Sequence, residues 1–136
     1  MPHISSIEIR FSDIDKFGHV NNAKYLTYLE QARISYFDHV ISEDNSWEKT
    51  GIILAKAEIE FIKPIFFKDK IEIEIAVSSF GNKSFEMSYR ILKKEKDSIF
   101  LMAKAKTILV CYSYELNQTI LIPEEWMKNV KSFENI

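Results

Sequence analysis

The chain has 136 residues, 46% of them hydrophobic and 28% charged, with a formal net charge of −2. That is enough length for one domain with a proper core. The near-neutral balance and the lack of a basic, aromatic-interleaved patch argue against nucleic acid as a partner. A single cysteine, Cys111, excludes an intrachain disulfide and a cysteine-built zinc site. No signal-peptide pattern is visible, and no apolar run approaches the roughly 20 residues a membrane span needs. The expectation is a cytoplasmic protein without a membrane partner.

Residues 4–12 alternate, with Ile7, Ile9 and Phe11 on one side and Glu8 and Arg10 on the other. This predicts a half-buried strand. Ser12 to Val20 is a polar loop, with Gly18 as its freest backbone point. Asn21 or Asn22 is positioned as the cap of a helix. From Asn22 to about Ile41 the apolar spacing is helical, and Arg33 intrudes on the stripe. Some 20 residues make a helix of about 30 Å, long for a chain this short, and it is expected at the centre of the core. Residues 42–50 form a polar connection.

After Gly51 the chain reads as strands: Ile52 to Lys63, ended by Pro64; Lys70 to Phe80; a run through Phe85, Met87, Tyr89 and Ile91; and Ile99 to Ser113. Gly81-Asn82 is a hairpin signal, and Lys93 to Asp97 a second turn. Thr107 to Cys111 is apolar on both faces, which places that strand centrally or in an interface. Cys111 reads as a small buried hydrophobe. Pro123-Glu-Glu-Trp126 opens a short terminal helix. The order predicts a single α+β domain over residues 1–136, a long helix lying on an antiparallel sheet.

The chemistry concentrates between Asp13 and Arg33. Asp13, Asp15, His19, Asn21 and Asn22 share one loop directly before a helix N-terminus. Unpaired N–H groups and the positive end of the helix dipole make that a place to hold developing negative charge. Asp13 reads as a structural residue that closes the loop. Binding of Mg²⁺ by the Asp13-x-Asp15 pair is set aside, because no further carboxylates cluster nearby.

The pattern Asp-x-Asp-x-x-Gly-His-Val-Asn-Asn-x-x-Tyr-x-x-Tyr-x-Glu-x-Ala-Arg, with this order of elements, resembles the hot-dog-fold thioesterases. It is similar to the 4-hydroxybenzoyl-CoA thioesterase-like acyl-CoA thioesterases, and to the acyl-ACP thioesterases that carry His-Val-Asn-Asn. The resemblance spans roughly residues 5 to 128. It implies a long helix wrapped by a five-stranded antiparallel sheet, and a homodimer, often a dimer of dimers. It implies hydrolysis of an acyl thioester with no metal and no cofactor beyond the CoA of the substrate. Asp15 corresponds to the catalytic carboxylate, as nucleophile or general base. A backbone N–H near Asn21 corresponds to the oxyanion site. His19 and Asn22 are candidate polar partners of the reaction. In the acyl-ACP branch a catalytic Asn lies two residues after the Asp, and Phe17 stands there instead.

Tyr25 and Tyr28 are candidates for the acyl pocket, against core packing as the plainer reading. Lys63 and Lys68, with Lys56 and Lys70, are candidates for phosphate contacts, against an ordinary solvated face. Glu30 and Arg33 are spaced to pair on the helix. His3 and His39 receive no role. The alternatives are an acyl-ACP thioesterase and a non-catalytic acyl-CoA-binding or sensor domain.

Overall fold

A computed structural model describes residues 2–136. Strand β1 (His3–Ile7) leads through a 3₁₀ turn (Phe11–Asp13) and a loop into helix α1 (Lys24–Val40). Strands β2 (Thr50–Phe61), β3 (Lys70–Phe80), β4 (Ser84–Glu95), β5 (Ser98–Ser113) and the two-residue β6 (Gln118–Thr119) come next, and helix α2 (Glu124–Glu134) closes the chain. The sheet is antiparallel in the order β1-β3-β4-β5-β2, with β6 paired to the end of β5. The α+β architecture and the long helix agree with the sequence reading; β6 is an addition, too short to carry a period.

α1 covers one face of the sheet. Tyr25, Tyr28, Leu29, Ala32, Tyr36 and Val40 form its buried stripe. They join Ile71, Ile73 and Ile75 of β3, Met87, Tyr89 and Ile91 of β4, and Ala103, Ala105, Leu109 and Cys111 of β5 in one core. Each fully buried Leu, Ile or Val contributes roughly 1.5–3 kcal/mol, so this face dominates the stability of the fold. The opposite face carries the alternate residues, with ion pairs Arg90–Glu74 (2.8 Å) and Lys94–Glu72 (3.1 Å). Such exposed pairs contribute little.

Three boundaries differ from expectation for local reasons. β1 stops at Ile7, because Arg10 N–H donates to the Asp13 carboxylate (3.0 Å) and turns the chain. α1 begins at Lys24, because Asn21 and Asn22 carbonyls accept from Lys24 and Tyr25 in a turn that precedes it. The β4–β5 turn is tight: β4 runs to Glu95 and Lys96 takes φ 51.

α2 is anchored by a buried carboxylate. Glu134 accepts from the Tyr36 hydroxyl of α1 and from Val77 N–H of β3 (2.9 Å). Asn129 donates to the Val40 carbonyl (2.9 Å), covering the end of α1. His3 and His39, left without a role by the sequence, meet here. The two rings are 5.0 Å apart, His39 stacks on Phe133, and His3 Nε2 lies 2.8 Å from Ser35 Oγ. Burial, reinforced by His39, holds His3 below the ordinary histidine value.

Candidate active site

The loop from Asp13 to Asn21 is a small hairpin closed on itself. Asn21 N–H donates to the Asp13 carbonyl (2.9 Å), Ile14 and Val20 form a bridge, and Asp15 N–H donates to the His19 carbonyl (3.0 Å). Gly18 N–H returns to the Asp15 carbonyl (3.0 Å). Gly18 sits at φ 90, a conformation a side chain disfavours. Val20 N–H donates to the Ile65 carbonyl (2.8 Å), which ties this hairpin to the segment after β2.

Asp15 therefore stands at the tip of a fixed loop. Its two oxygens are differently engaged. Oδ1 accepts from Phe17 N–H (2.9 Å), the local turn common for Asp. Oδ2 lies 3.8 Å from His19 Nδ1. Both side chains are partly exposed, and His19 Nδ1 also lies 3.4 Å from the Val20 carbonyl oxygen. The Phe17 ring stacks over His19 at 6.3 Å.

Helix α1 starts immediately afterwards. Asn21 Oδ1 accepts from Ala23 N–H (3.0 Å) in a local turn, and its own N–H is committed to Asp13; the N-cap position is Ala23, without a side-chain cap, rather than Asn21 or Asn22, because that turn takes up two more residues before the helix begins. The N–H of Asn22 makes no hydrogen bond among the described residues. It is the open donor at the helix start. Asn22 lines a cleft of about 200 Å³ with His19, Tyr25, Phe61, Ile62, Lys63 and Pro64. Tyr25 forms an edge contact with Phe61 (4.8 Å) across this wall.

The other candidates are more scattered. Tyr28 is 1% exposed, its hydroxyl donates to Asp13 Oδ2 (2.7 Å), and it does not line the cleft. Lys63 lines the cleft with its ammonium 5.0 Å from the Phe100 ring centre, a cation–π contact. Lys68 is exposed in the 66–69 turn, outside the lining. Lys56 pairs with Glu58 (3.1 Å). Arg33 does not pair with Glu30: it is 7% exposed and donates to the Tyr89 hydroxyl (3.2 Å), which in turn meets Thr107 Oγ1 (2.5 Å). No group of three or more His, Cys, Asp or Glu side chains converges in ligand geometry among the described residues.

The sequence reading missed the Asp13–Tyr28 bond. The available signal was that a buried tyrosine needs a partner for its hydroxyl, and Asp13 is the carboxylate at the base of the adjoining loop. Asp13 is itself 3% exposed. Burial alone would raise its pKa, but the Arg10 N–H, the Tyr28 hydroxyl and the charges of Arg10 and Lys24 outweigh burial and hold it below the ordinary carboxylate value.

A long helix on an antiparallel sheet, with a carboxylate loop at the helix start, defines a hot-dog domain built for thioester chemistry. The chain belongs to the thioesterase-like superfamily, whose family model matches residues 9–130, and it is accordingly a thioester hydrolase. It is 28% identical over 132 residues to a 1,4-dihydroxy-2-naphthoyl-CoA hydrolase of Microcystis aeruginosa, covering 93% of each chain. It is 23% identical over 124 residues to the long-chain acyl-CoA thioesterase FadM of Escherichia coli, covering 89% of this chain and 91% of FadM. Among solved structures it resembles a thioesterase from Thermus thermophilus complexed with coenzyme A and Zn, with TM-score 0.83 and 28% identity over 98% of this chain and 94% of that one.

Proposed function

We propose that this protein hydrolyses acyl-CoA thioesters to the free acid and CoA, with Asp15 as the attacking carboxylate or the base for water. The observation that carries the reading is one juxtaposition. A partly exposed carboxylate with Oδ2 facing His19 sits on a closed loop directly before a helix start whose Asn22 N–H is unpaired. Thioester cleavage asks for little more. A thiolate leaves readily, its thiol having a reference pKa of about 8.5, so a nucleophile or base and one oxyanion donor suffice.

In this reading the thioester carbonyl lies at the mouth of the cleft, which His19 and Asn22 line and Asp15 does not, with its oxygen toward Asn22 N–H and the helix dipole and its carbon toward Asp15. His19 orients the carboxylate or the attacking water. Asn21 shapes the donor by capping the turn beneath it. Tyr25 and Phe61 flank the acyl group, and Lys63 offers a positive charge at the cleft rim to CoA phosphates, with Lys68 further out. CoA is favoured over an acyl-ACP carrier because the Microcystis and Escherichia relatives are CoA enzymes, and because Phe17 replaces the amide that the acyl-ACP mechanism uses.

The same reading includes a homodimer, with pairing into a dimer of dimers. Among the described residues β2 ends the sheet with an unpaired outer edge, and it exposes Ile53, Leu54 and Phe61. An edge of this kind is a template for a second strand, and Phe61 to Pro64 at its end line the cleft. Pairing there would cover the site.

The test is thiol release from acetyl-, benzoyl- and palmitoyl-CoA by wild type and Asp15→Asn. Wild-type turnover that drops at least roughly a hundredfold in the variant, the lower range for a general base, supports the assignment. Binding of CoA esters without turnover would instead make the chain a sensor domain, and activity surviving in Asp15→Asn would place the carboxylate elsewhere.

A further inference from the structure

We infer that Asp13 and Tyr28 are a positioning pair that sets the distance between the Asp15 carboxylate and the oxyanion donor at Asn22; the inference rests on the catalytic reading above.

The two reacting groups sit on different elements. Asp15 is at the tip of the 13–21 hairpin, and the Asn22 N–H belongs to the turn that leads from the hairpin into α1. Their relative placement depends on how the base of the hairpin is fixed to the helix. Asp13 is that base, and it is held from three directions. Its carboxylate accepts from Arg10 N–H (3.0 Å), which fixes the approach from β1. Its carbonyl accepts from Asn21 N–H (2.9 Å), which fixes the return strand of the hairpin. Its Oδ2 accepts from the Tyr28 hydroxyl (2.7 Å), which fixes the hairpin to the body of α1.

The last of these differs in kind. The Asn21 bond lies within the loop and would move with the loop if it swung. Tyr28 lies six residues beyond Asn22, about 9 Å along the helix axis, and its ring is locked in the core. Among the described residues, the Tyr28–Asp13 bond is the side-chain hydrogen bond that joins the hairpin to α1 beyond its first turn. It is charge-assisted and sealed from water, which makes it both strong and specific in direction.

Both side chains are buried, Asp13 at 3% and Tyr28 at 1% exposure, and neither lines the cleft, so neither touches the reacting atoms. Their effect would come through geometry alone. A displacement of about 1 Å between reacting groups can cost up to roughly a hundredfold in rate, with little effect on binding of the remote CoA moiety. A purely structural pair would behave differently: its loss would lower stability and leave the rate of each folded molecule intact.

The experiment compares wild type, Tyr28→Phe and Asp13→Asn on the acyl-CoA the wild type turns over best, at a temperature where circular dichroism shows all three fully folded. Tyr28→Phe removes one oxygen and keeps the ring. Asp13→Asn keeps an acceptor oxygen for Tyr28 and Arg10 but removes the charge. The expected result is a fall in kcat of about tenfold or more for Tyr28→Phe with KM within about twofold, and a smaller fall in Asp13→Asn, which keeps the acceptor. Wild-type kcat in Tyr28→Phe would overturn the inference, as would a loss confined to KM. Should Tyr28→Phe fail to fold, Asp13→Ala, which removes the acceptor of the Tyr28 hydroxyl, decides: full wild-type kcat in that variant overturns the inference, and a drop in kcat at constant KM supports it. If folded wild type hydrolyses no thioester, the catalytic reading fails and the inference falls with it. Wild-type activity lost in Asp15→Asn but kept in Tyr28→Phe sinks the inference alone.

Discussion

Asp13 is held below the ordinary carboxylate value in a place where burial alone would raise it, and stability should depend on acid accordingly. Its folded pKa is below its unfolded value near 3.8. The stabilisation is therefore present above that value and is lost as pH falls through the lower, folded one. Wild-type melting temperature should drop as pH is taken below about 4, and the Asp13→Asn variant, with nothing to titrate there, should show a shallower acid limb in the same scan. Asp15 and the adjoining amides were legible from residue type and order, because a carboxylate loop before a helix is a local pattern. Tyr28 and Arg33 were not. Helical spacing shows which side of α1 is buried, but not what a hydroxyl or guanidinium meets there. Tyr28 meets Asp13, and Arg33 meets Tyr89 of β4 rather than Glu30 one turn away.

Between elements, the least legible contact is the seating of α2. Pro123 and the acidic residues after it placed the helix, and Trp126 and Val130 are buried on its inner side. Nothing local marks Glu134, near the C-terminus, as a core residue. Its role emerges only when β3 and α1 bring Val77 N–H and Tyr36 to it. Glu134→Ala would leave a buried N–H and a buried hydroxyl without their acceptor, a cost of about 1–3 kcal/mol for each. The expected loss of roughly 2 kcal/mol or more would be read from urea unfolding, with activity per folded molecule retained. The strands β3, β4 and β5 were legible for the opposite reason. β3 alternates from Ile71 to Val77 and β4 from Phe85 to Ile91, β5 stands out as an apolar run, and a one-residue slip would turn every isoleucine of β3 to the charged face.

At the scale of the molecule, an open edge and a sealed centre lead to two different expectations. The β2 edge should pair with a second copy. Sizing by light scattering should give twice the 16.0 kDa chain mass or a further doubling, and Ile53→Lys, a charge on that exposed edge, should shift the population toward monomer. The centre holds Cys111, fully buried in β5, its thiol pushed up to about 11 by burial. Its N–H donates to the Lys83 carbonyl and its carbonyl accepts from Ile120 N–H, both at 2.9 Å. Alkylation needs a thiolate and open access. At pH 8 the native chain should therefore react roughly a hundredfold or more slowly than the denatured chain, whose thiol has a pKa near 8.5. The protein thus carries its own clock. Each label on the single thiol records an opening of β5. A bound acyl-CoA analogue that slows the labelling reports its own affinity without any turnover being followed.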